Sequence, residues 1–394
     1  MTITILGWYK NEITARGTQH LTHRLPNNTN TERINLNHYD IAPLRAEQLA
    51  DVLQTNTVII SLFSLFLLIL HIFFKQTLTA LCISENEFGE EGAQHLAKAL
   101  QTNKTLTTLS VDKNEIGQKG AQYFADVLRT NAAITELHIR ENGIGDIGIQ
   151  YLTDALQTNK ALTTVGLDQN EIGEEGARHL ADLLRTNTTI TVLNISSNEI
   201  GGIGAQYLAE SLRINATLTT LDLCYNHIGD EGTEKLADCL RNNTILTTLN
   251  LGSNAIGLTG IQHLADTSGS NTALTALNLS MNKIESTGAK YLAEALLVNK
   301  TLTTLDLNSN NIGDEGTVHL ADALKINTTL TTLALNNNRI YDQGAVRLAD
   351  ALRTNKTIIS LVWTAGGTTA VGWIFFNMIE EMIEENRERL KFSA

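Results

Sequence analysis

The chain has 394 residues, with 29 basic and 42 acidic side chains and a formal net charge of −13. The chain is long enough for two or three ordinary domains, each with its own buried core. The negative charge disfavours a protein that coats nucleic acid, because such a protein needs a basic face. The cysteines are too few and too odd in number for a disulfide framework, and they are typical of a reducing compartment: Cys82, Cys224 and Cys239.

Residues 1–57 are predicted to form two imperfect copies of a unit that repeats clearly further along the chain. Asn11 heads the first copy, and Tyr39 holds the same position of the second copy. Met1 lies just before the first strand with no polar segment ahead of it, although a stack of repeats needs polar end caps. We expect either a fragment of a longer protein or frayed first copies. No basic segment with an apolar core opens the chain, so no signal peptide is expected.

Residues 58–76 interrupt the strand that follows the second copy with an apolar insert, VIISLFSLFLLILHIFFKQ, and deleting this insert returns Asn86 to the period of the repeat. One interpretation is a membrane-spanning helix over Val58–Phe74, although this run is at the lower limit of length for crossing a bilayer. Such a span would put the first two copies across the membrane from the rest. A second interpretation is a buried or peripheral apolar hairpin.

The third interpretation, which we favour, is that the insert is a translated intron. Val58 requires a codon that begins with GT, Gln76 allows CAG, and Phe73 and Phe74 can be encoded by a pyrimidine tract. Sequencing the transcript tests this hypothesis. A message that retains the coding segment for residues 58–76 as its major form would contradict it.

Residues 77–357 hold ten in-register copies of the unit LxxLxLxxNxIGxxGAxxLAxxLxxN. Its first asparagine recurs every 28 residues, at Asn86, Asn114, Asn142, Asn170, Asn198, Asn226, Asn254, Asn282, Asn310 and Asn338. The alternating LxxLxL segment predicts a short strand with inward leucines. The segment GAxxLAxxL places its apolar residues on one helical face. Each copy is therefore predicted to be one strand and one helix, which bury their apolar sides only by stacking.

The asparagines and the glycine of each copy have predicted structural roles. The first asparagine follows the strand, where an inward amide can satisfy backbone groups that leave the ladder, so stacked copies would form a column of amides. The glycine that follows it, from Gly92 to Gly344, lies where a side chain would obstruct the backbone. The second asparagine, from Asn103 to Asn355, is predicted to be a left-handed cap at the end of the helix.

This unit resembles the leucine-rich repeat of the ribonuclease-inhibitor type, which also occurs in NOD-like receptors and in Ran GTPase-activating proteins. The resemblance covers nearly the whole chain. It implies an α/β leucine-rich-repeat solenoid, or horseshoe, with a parallel sheet on the concave face and helices on the convex face. A ribonuclease inhibitor proper is disfavoured because those proteins are rich in cysteine.

Residues 358–394 are predicted to close the stack with a last strand and an amphipathic helix. Apolar residues share one face of that helix: Ile374, Phe375, Met378, Ile379, Met382 and Ile383. The helix is predicted to cover the last copy. A coiled-coil or membrane-surface helix is the alternative, and the acidic opposite face weakens the membrane version.

The sequence lacks the common signatures of catalysis. No GxxxxGK[ST], GxSxG, HExxH or CxxC motif occurs, so we expect no catalytic residue, cofactor or metal. Acidic pairs such as Glu174-Glu175 stand at helix starts, where they complement the helix dipole, so the net charge alone does not require a basic partner. Sequons such as Asn103-Lys104-Thr105 arise where the second asparagine meets the strand, and without a signal peptide glycosylation is not expected.

Function is predicted to reside on the concave sheet, at the outward strand positions and the loop positions just before each first asparagine. Most of these positions hold small polar residues, which make poor binding hot spots. The charged or aromatic exceptions are the candidate contacts for a protein partner: Asp112, Lys113, Glu136, His138, Arg140, Glu141, Asp168, Asp222 and Tyr225. We expect Arg140 and Tyr225 to matter most, because Arg and Tyr are enriched at hot spots.

The leading interpretation is a cytoplasmic, non-enzymatic scaffold that binds a protein, similar to the repeat region of NOD-like receptors. The runner-up is a Ran-type GTPase-activating protein, although the C-terminal sequence NRERLKFSA lacks the acidic tail that is typical of that family. A third possibility is a membrane-anchored repeat receptor, which depends entirely on Val58–Phe74.

Overall fold

The computed structural model describes residues 5–7, 33–35, 79–364 and 370–391. The chain divides into two compact units, Met1–Asn198 and Glu199–Ala394. The predicted insert at residues 58–76 and nearly all of residues 1–57 lie outside the described residues. The interpretations of the insert therefore stay predictions.

The first unit alternates short strands with helices. Its described strands pair in chain order, each parallel to the next. They are β1 (Ile5–Gly7), β2 (Arg33–Asn35), β3 (Ala80–Cys82), β4 (Thr108–Ser110), β5 (Glu136–His138), β6 (Thr164–Gly166) and β7 (Val192–Asn194). Consecutive helices pack together. The described helices are α1 (Gly89–Leu100), α2 (Gly117–Leu128), α3 (Gly145–Leu156) and α4 (Glu174–Leu184).

The second unit has the same alternation. Its strands are also parallel and in chain order. They are β8 (Thr220–Asp222), β9 (Thr248–Asn250), β10 (Ala276–Asn278), β11 (Thr304–Asp306), β12 (Thr332–Ala334) and β13 (Ser360–Val362). The described helices are α5 (Gly201–Leu212), α6 (Gly229–Leu240), α7 (Leu258–Ser268), α8 (Glu285–Val298), α9 (Gly313–Leu324), α10 (Asp342–Thr354) and α11 (Ala370–Lys391). A parallel sheet with a helix after each described strand from β3 to β13 confirms the predicted fold class.

The constant period of the repeat sets the register of the strands in both units. Leu137 pairs with Leu109 on one side and with Val165 on the other, and all three are buried. In the second unit, Leu249 pairs in the same way with Leu221. The two neighbours of the central leucine in each strand point the other way, because side chains alternate along a strand. Burial of each leucine contributes about 1.5–3 kcal/mol.

The first asparagine of each copy forms the predicted column of amides. Asn142 represents the pattern: its Nδ2 donates to the carbonyls of Val111 at 3.1 Å, Ile139 at 2.9 Å and Arg140 at 3.0 Å. Its Oδ1 accepts the backbone N–H of Asn114 at 2.9 Å. One amide therefore joins neighbouring copies and satisfies groups that the short strands leave unpaired. We call these residues the first-ladder asparagines.

The prediction of a left-handed cap at the second asparagine is wrong. Asn299 and Asn355 have extended backbones, with φ of −65° and −71°. In Asn159, Oδ1 accepts the backbone N–H of Leu162 at 2.8 Å, and Nδ2 donates to the Leu128 carbonyl of the preceding copy at 2.8 Å. The side chain thus binds a backbone N–H just before the following strand and a backbone carbonyl of the preceding copy. An extended backbone at the asparagine therefore satisfies more backbone hydrogen-bonding groups than a left-handed one. We call these residues the second-ladder asparagines.

Left-handed backbone lies beside the first-ladder asparagines instead. The residue before the asparagine has positive φ in many copies, including Lys113 (54°), Glu141 (53°) and Tyr225 (56°). Such a conformation costs about 1–3 kcal/mol for a residue with a Cβ atom. Hydrogen bonds hold it in place: the Lys113 N–H donates to the Arg140 carbonyl at 2.8 Å.

The repeated glycine lies in the first turn of each helix, against the loop that leads into it. A Cβ atom on Gly120 would lie 2.5 Å from Cβ of Ile116 and 3.1 Å from Cβ of Ala93. On Gly232 it would lie 2.9 Å from Cα of Gly202. These distances are too short for real Cβ atoms, so the predicted obstruction is confirmed.

Three aspartates in the first turns of helices bind the backbone of the following copy. Asp146 accepts the N–H of Gly173 at 2.7 Å, and Asp230 accepts that of Gly257 at 2.6 Å. Both glycines are extended, with φ of −97° and −103°, whereas Gly229 at the same position has φ of +63°. This position of the loop therefore has two backbone conformations, extended and left-handed. The glycines that bind an aspartate of the preceding copy have the extended one. Asp314 makes the third such contact.

The C-terminal helix α11 packs against the last copy, as predicted. Ile379 and Ile383 are buried, and the Trp363 ring lies 5.5 Å from that of Phe376. Nδ2 of Asn386 donates to the Ile358 carbonyl at 2.9 Å. Of the residues predicted to share the apolar face, Ile374 is 59% exposed. This residue lies near the start of the helix.

Candidate protein-binding surface

Seven of the nine predicted contact residues lie on the sheet side of the first unit, in three neighbouring copies. They are Asp112, Lys113, Glu136, His138, Arg140, Glu141 and Asp168. Glu136 and His138 flank the buried Leu137 in β5, so the pleat directs both away from the core. The others follow β4, β5 and β6 in the loops that end at first-ladder asparagines. The in-register pairing of the strands brings these loops side by side.

Arg140 is the centre of this surface. Its Nε lies 3.0 Å from Oδ2 of Asp168 and 2.5 Å from Oε1 of Gln169, both in the next copy. Its backbone N–H donates to Oδ1 of Asp112 in the preceding copy at 2.8 Å. The guanidinium side chain remains 47% exposed while Asp168 is only 16% exposed. Arg140 therefore links three copies and still presents its charged group to solvent.

Lys113 forms a second charged centre. Its Nζ lies 3.4 Å from Oε2 of Glu141 and 3.8 Å from Oε1 of Glu85. All three residues hold the position before a first-ladder asparagine and have left-handed backbones. The shared conformation places their side chains in one row across neighbouring copies. Exposed ion pairs of this kind contribute little to stability, about 0–1 kcal/mol, so stability alone does not account for the row.

Glu136 and His138 complete the first-unit surface. Oε2 of Glu136 accepts the hydroxyl of Thr108 at 3.2 Å. A Cβ atom on Gly166 would lie 2.8 Å from Nδ1 of His138, so the glycine in β6 leaves room for the imidazole ring. Both side chains are half-buried against neighbouring strands.

The two remaining candidates, Asp222 and Tyr225, belong to the second unit. Asp222 accepts the N–H of Cys224 at 2.9 Å and the amide of Asn250 at 3.0 Å. Tyr225 is 55% exposed, and its ring centroid lies 5.8 Å from that of His227. Tyr225 is the large aromatic side chain on this part of the second unit, whereas Asp222 is occupied by its neighbours.

The sheet sides of the two units differ in charge. We define the acidic sheet surface of the first unit as the carboxylates that lie between the start of each strand from β3 to β6 and the residue after the first-ladder asparagine that follows it. Its eight members are Glu85, Glu87, Asp112, Glu115, Glu136, Glu141, Asp168 and Glu171, against two cations, Lys113 and Arg140. The same positions around Asn226 to Asn338 carry two acids and two cations: Asp222, Asp306, Lys283 and Arg339.

Two of the described cysteines, Cys224 and Cys239, are poorly suited to nucleophilic chemistry. Burial raises the pKa of the Cys239 thiol to about 12. Burial and the nearby Asp222 carboxylate also raise the pKa of the Cys224 thiol, whereas a hydrogen bond with Ser253 acts to lower it. The thiolate is the reactive form, so a raised pKa reduces reactivity at neutral pH.

In the part of the chain that the structure describes, no group of three or more His, Cys, Asp and Glu side chains is arranged to hold a metal ion. No helix within the described ranges is both long and apolar enough to cross a bilayer.

A family model described as Leucine Rich repeat matches eight segments of the chain. They are residues 102–125, 130–152, 186–209, 215–237, 242–265, 270–293, 298–321 and 327–349. The described residues fold as a leucine-rich-repeat solenoid. No curated protein matches the chain in sequence.

Solved structures that share features of this leucine-rich-repeat fold are similar only in part. Actin-binding site 2 of leiomodin-1 is 25% identical over 40% of this chain and 93% of that chain, with a TM-score of 0.35. The C-terminal domain of tropomodulin from Caenorhabditis elegans is 18% identical over 41% and 96%, with a TM-score of 0.37. A chain of the yeast Rad7 and Elc1 complex is 16% identical over 83% and 84%, with a TM-score of 0.48. These superpositions are too loose to transfer a partner.

Three residues of the leucine-rich-repeat surface lie outside the predicted set. Oε1 of Gln169 accepts a hydrogen bond from Nε of Arg140, and Asn194 donates one to Oδ1 of Asp168 at 3.1 Å. Gly166 leaves room for the His138 ring. Gln169 and Asn194 both stand at outward sheet positions of the repeat. The register could have identified them, but neither is charged or aromatic, which was the criterion for selection.

Proposed function

We propose that this leucine-rich-repeat solenoid is a non-enzymatic scaffold that binds a protein partner on the sheet side of its first unit. The acidic sheet surface around Arg140 carries the proposal. A rigid register holds charged side chains there in neighbouring copies, whereas the same positions of the second unit are mostly threonine, serine and asparagine. Rigid repeats present variable side chains on such a surface for recognition.

The charges of this surface favour a partner segment rich in lysine and arginine. Its two cations already lie close to carboxylates, Arg140 to Asp168 and Lys113 to Glu141. The glutamates that follow the first-ladder asparagines remain exposed: Glu87, Glu115 and Glu171. Complementary charges steer association and suppress partners of the wrong sign. Arg140 is the proposed hot spot of the first unit and Tyr225 that of the second, each with an exposed side chain.

We also propose that the repeats are of the ribonuclease-inhibitor type, as in NOD-like receptors. The support is the length of the unit, in which a helix of three turns or more follows each strand from β3 to β12. This assignment concerns the type of repeat and leaves the partner open.

Affinity capture from native cell extract with sheet-surface and helix-surface variants tests the proposed function. One variant carries Glu87→Gln, Glu115→Gln and Glu171→Gln. We expect it to lower recovery of the bound protein by about tenfold, or ~1.4 kcal/mol of binding free energy. Arg140→Ala should act in the same direction. Cross-linking from the sheet surface should identify a segment rich in lysine and arginine in the captured protein.

A matched control removes the same number of charges from the helix side of the first unit. Glu90, Glu91 and Glu174 are exposed in the first turns of α1 and α4. Changing all three to glutamine should leave recovery unchanged. Equal losses for the two triple variants, or cross-links to an acidic segment, would contradict the proposed surface.

A further inference from the structure

Six second-ladder asparagines begin the tripeptide Asn-x-Thr that directs N-linked glycosylation. They are Asn103, Asn187, Asn215, Asn299, Asn327 and Asn355. All six are buried, with between 1% and 6% of their surface exposed. A glycan is joined to the Nδ2 atom, so the position of this atom decides whether the folded chain can carry one.

The Nδ2 atoms of the second ladder face the interior and donate hydrogen bonds to the preceding copy. In Asn355, Nδ2 donates to the carbonyls of Leu324 at 2.7 Å and Asn327 at 3.0 Å, while Oδ1 accepts the N–H of Ile358 at 2.9 Å. The Nδ2 of Asn299 makes the same kind of contact with the Ser268 carbonyl at 2.6 Å. A sugar on Nδ2 would replace a donated hydrogen and would need a space that neighbouring copies fill.

We propose that N-glycosylation at these six positions is incompatible with the fold, and that the chain folds in a compartment without N-glycan transfer, such as the cytosol. The transfer enzyme acts on chains before they fold, so burial in the final structure gives no protection. If Val58–Phe74 were a membrane span, the same constraint would require the repeats that follow it to lie on the cytosolic side.

Other copies show that the threonine of these sequons is not needed for the ladder. Asn131, Asn159 and Asn271 are each followed by alanine at the threonine position of the sequon. The Oδ1 of Asn159 still accepts the N–H of Ala161 at 2.9 Å, like its counterparts in the copies with threonine. Threonine to alanine therefore removes the sequon and keeps the hydrogen bonds between the asparagine and the backbone. It gives up contacts of 3.3–3.5 Å between the asparagine amide and the hydroxyls of Thr105, Thr189, Thr301 and Thr357.

The test is to direct the chain into the secretory pathway with a cleavable signal and compare it with a variant in which six threonines are alanine. The changed residues are Thr105, Thr189, Thr217, Thr301, Thr329 and Thr357. Residues 58–76 are deleted from both chains, because this apolar run could stop transfer across the membrane before the repeats. Both chains also carry Thr77→Ala, since the deletion would otherwise create the sequon Asn56-Thr57-Thr77. We expect glycans on second-ladder asparagines of the parent chain, identified by mass spectrometry, together with loss of resistance to limited proteolysis. The variant should regain the resistance of the cytosolic parent chain.

Two controls make each outcome decisive. The sequons at Asn242-Asn243-Thr244, Asn194-Ile195-Ser196 and Asn278-Leu279-Ser280 remain in both chains. Asn242 is exposed, so its glycan reports that transfer occurred, and Ser196→Ala with Ser280→Ala in both chains removes the sequons at Asn194 and Asn278. Blocking glycan transfer with an inhibitor should restore folding of the secreted parent chain without the six threonine substitutions. Two results for the secreted parent chain would overturn the proposal. One is a chain that resists protease although its second-ladder asparagines carry glycans. The other is a resistant chain in which Asn242 is glycosylated and the second-ladder asparagines are not. Failure of the inhibitor to restore folding would also overturn it.

Discussion

The sheet side of the first unit carries eight carboxylates and two cations beside its first-ladder asparagines, whereas the same positions around Asn226 to Asn338 carry two of each. The framework beneath is the same: Leu137 and Leu249 pair with the leucines of neighbouring strands, and Asn142 and Asn254 bridge neighbouring copies. The framework residues therefore explain stability. Recognition must be sought in the positions that vary between the units.

The cores differ as well. The last helical position, which holds a buried leucine such as Leu156 or Leu184 in the first unit and Leu240 in the second, holds Ser268 in helix α7 of the second unit. Ser268 and its neighbour Thr267 are buried, and their hydroxyls have no hydrogen-bond partner among the described residues. Buried hydroxyls without partners cost free energy, so helix α7 is expected to be a weak point of the second unit.

The largest expected effect comes from giving the first unit the serine of the second. Leu156→Ser removes a buried leucine and introduces a buried hydroxyl, so it should lower the free energy of unfolding by about 3–5 kcal/mol. Urea unfolding followed by circular dichroism measures the loss. Stability within ~1 kcal/mol of wild type would mean that this position is not part of a packed core.

The reverse change, Ser268→Leu, is the matched control for that experiment. It should raise the free energy of unfolding by about 1 kcal/mol, because leucine fills the corresponding position in neighbouring copies without a polar atom. Hydrogen exchange should slow in α7. Destabilisation instead would show that neighbouring side chains have already taken the space.

The first-ladder asparagines should be equally important in both units. Asn142→Ala and Asn254→Ala each leave several buried backbone groups without partners, at a cost of about 2–3 kcal/mol. Asn311→Ala is the control, because Asn311 is exposed and Ala255 holds the same position with nearly the same φ of 56°. Urea unfolding of the three variants provides the comparison. A loss at Asn142 much larger than that at Asn254 would contradict the common framework.

The aspartates that bind the following copy should have a smaller effect, again in both units. Asp146→Ala and Asp230→Ala each remove a hydrogen bond to a glycine N–H, so each should lower stability by about 1 kcal/mol. Hydrogen exchange at Gly173 and Gly257 should accelerate. The neighbouring exposed Glu231 makes a suitable control, and an equal loss for Glu231→Ala would assign the effect to the helix dipole instead.

The sequence predicted those features that depend on one copy or on a constant period. The repeat spacing was enough to place Leu137 beside Leu109 and to predict the column containing Asn142. It did not reveal the hydrogen bond that the Gly257 N–H donates to Asp230, because that contact joins the first turn of one helix to the loop of the next copy. The second ladder was mispredicted because a helix-end asparagine is often left-handed, whereas here its side chain bonds to two copies.

The surface was predictable in position but only partly in detail. The outward positions followed from strand alternation, so Arg140 and Asp168 could be chosen from the sequence. Their pairing across copies, with Gln169 as a further acceptor, depends on side-chain conformations that a repeat pattern does not determine. The division of the chain after Asn198 also had no counterpart in the period, which continues through it.

The smallest expected effect is a pH dependence on the sheet side of the second unit. Burial raises the pKa of the Asp306 carboxyl, although the N–H of Asn308 opposes the shift by a hydrogen bond of 2.9 Å. The folded chain therefore binds the proton more tightly than the unfolded chain. The free energy of unfolding therefore falls as the pH rises from the ordinary pKa of aspartate through the raised pKa. Above the raised pKa, the charged carboxylate lowers it by a constant amount.

Asp306→Asn removes that cost without changing the shape of the side chain. Asn250 and Asn278 hold the same position in neighbouring copies, and their Oδ1 atoms accept the N–H of Gly252 at 3.0 Å and of Ser280 at 2.8 Å. The variant should be more stable than wild type at neutral pH. The difference should shrink as the pH falls through the raised pKa of Asp306, and it should have disappeared below about 4, the ordinary pKa of aspartate. A difference that stays constant across urea unfolding curves from acid to neutral pH would mean that ionisation of Asp306 is not its cause.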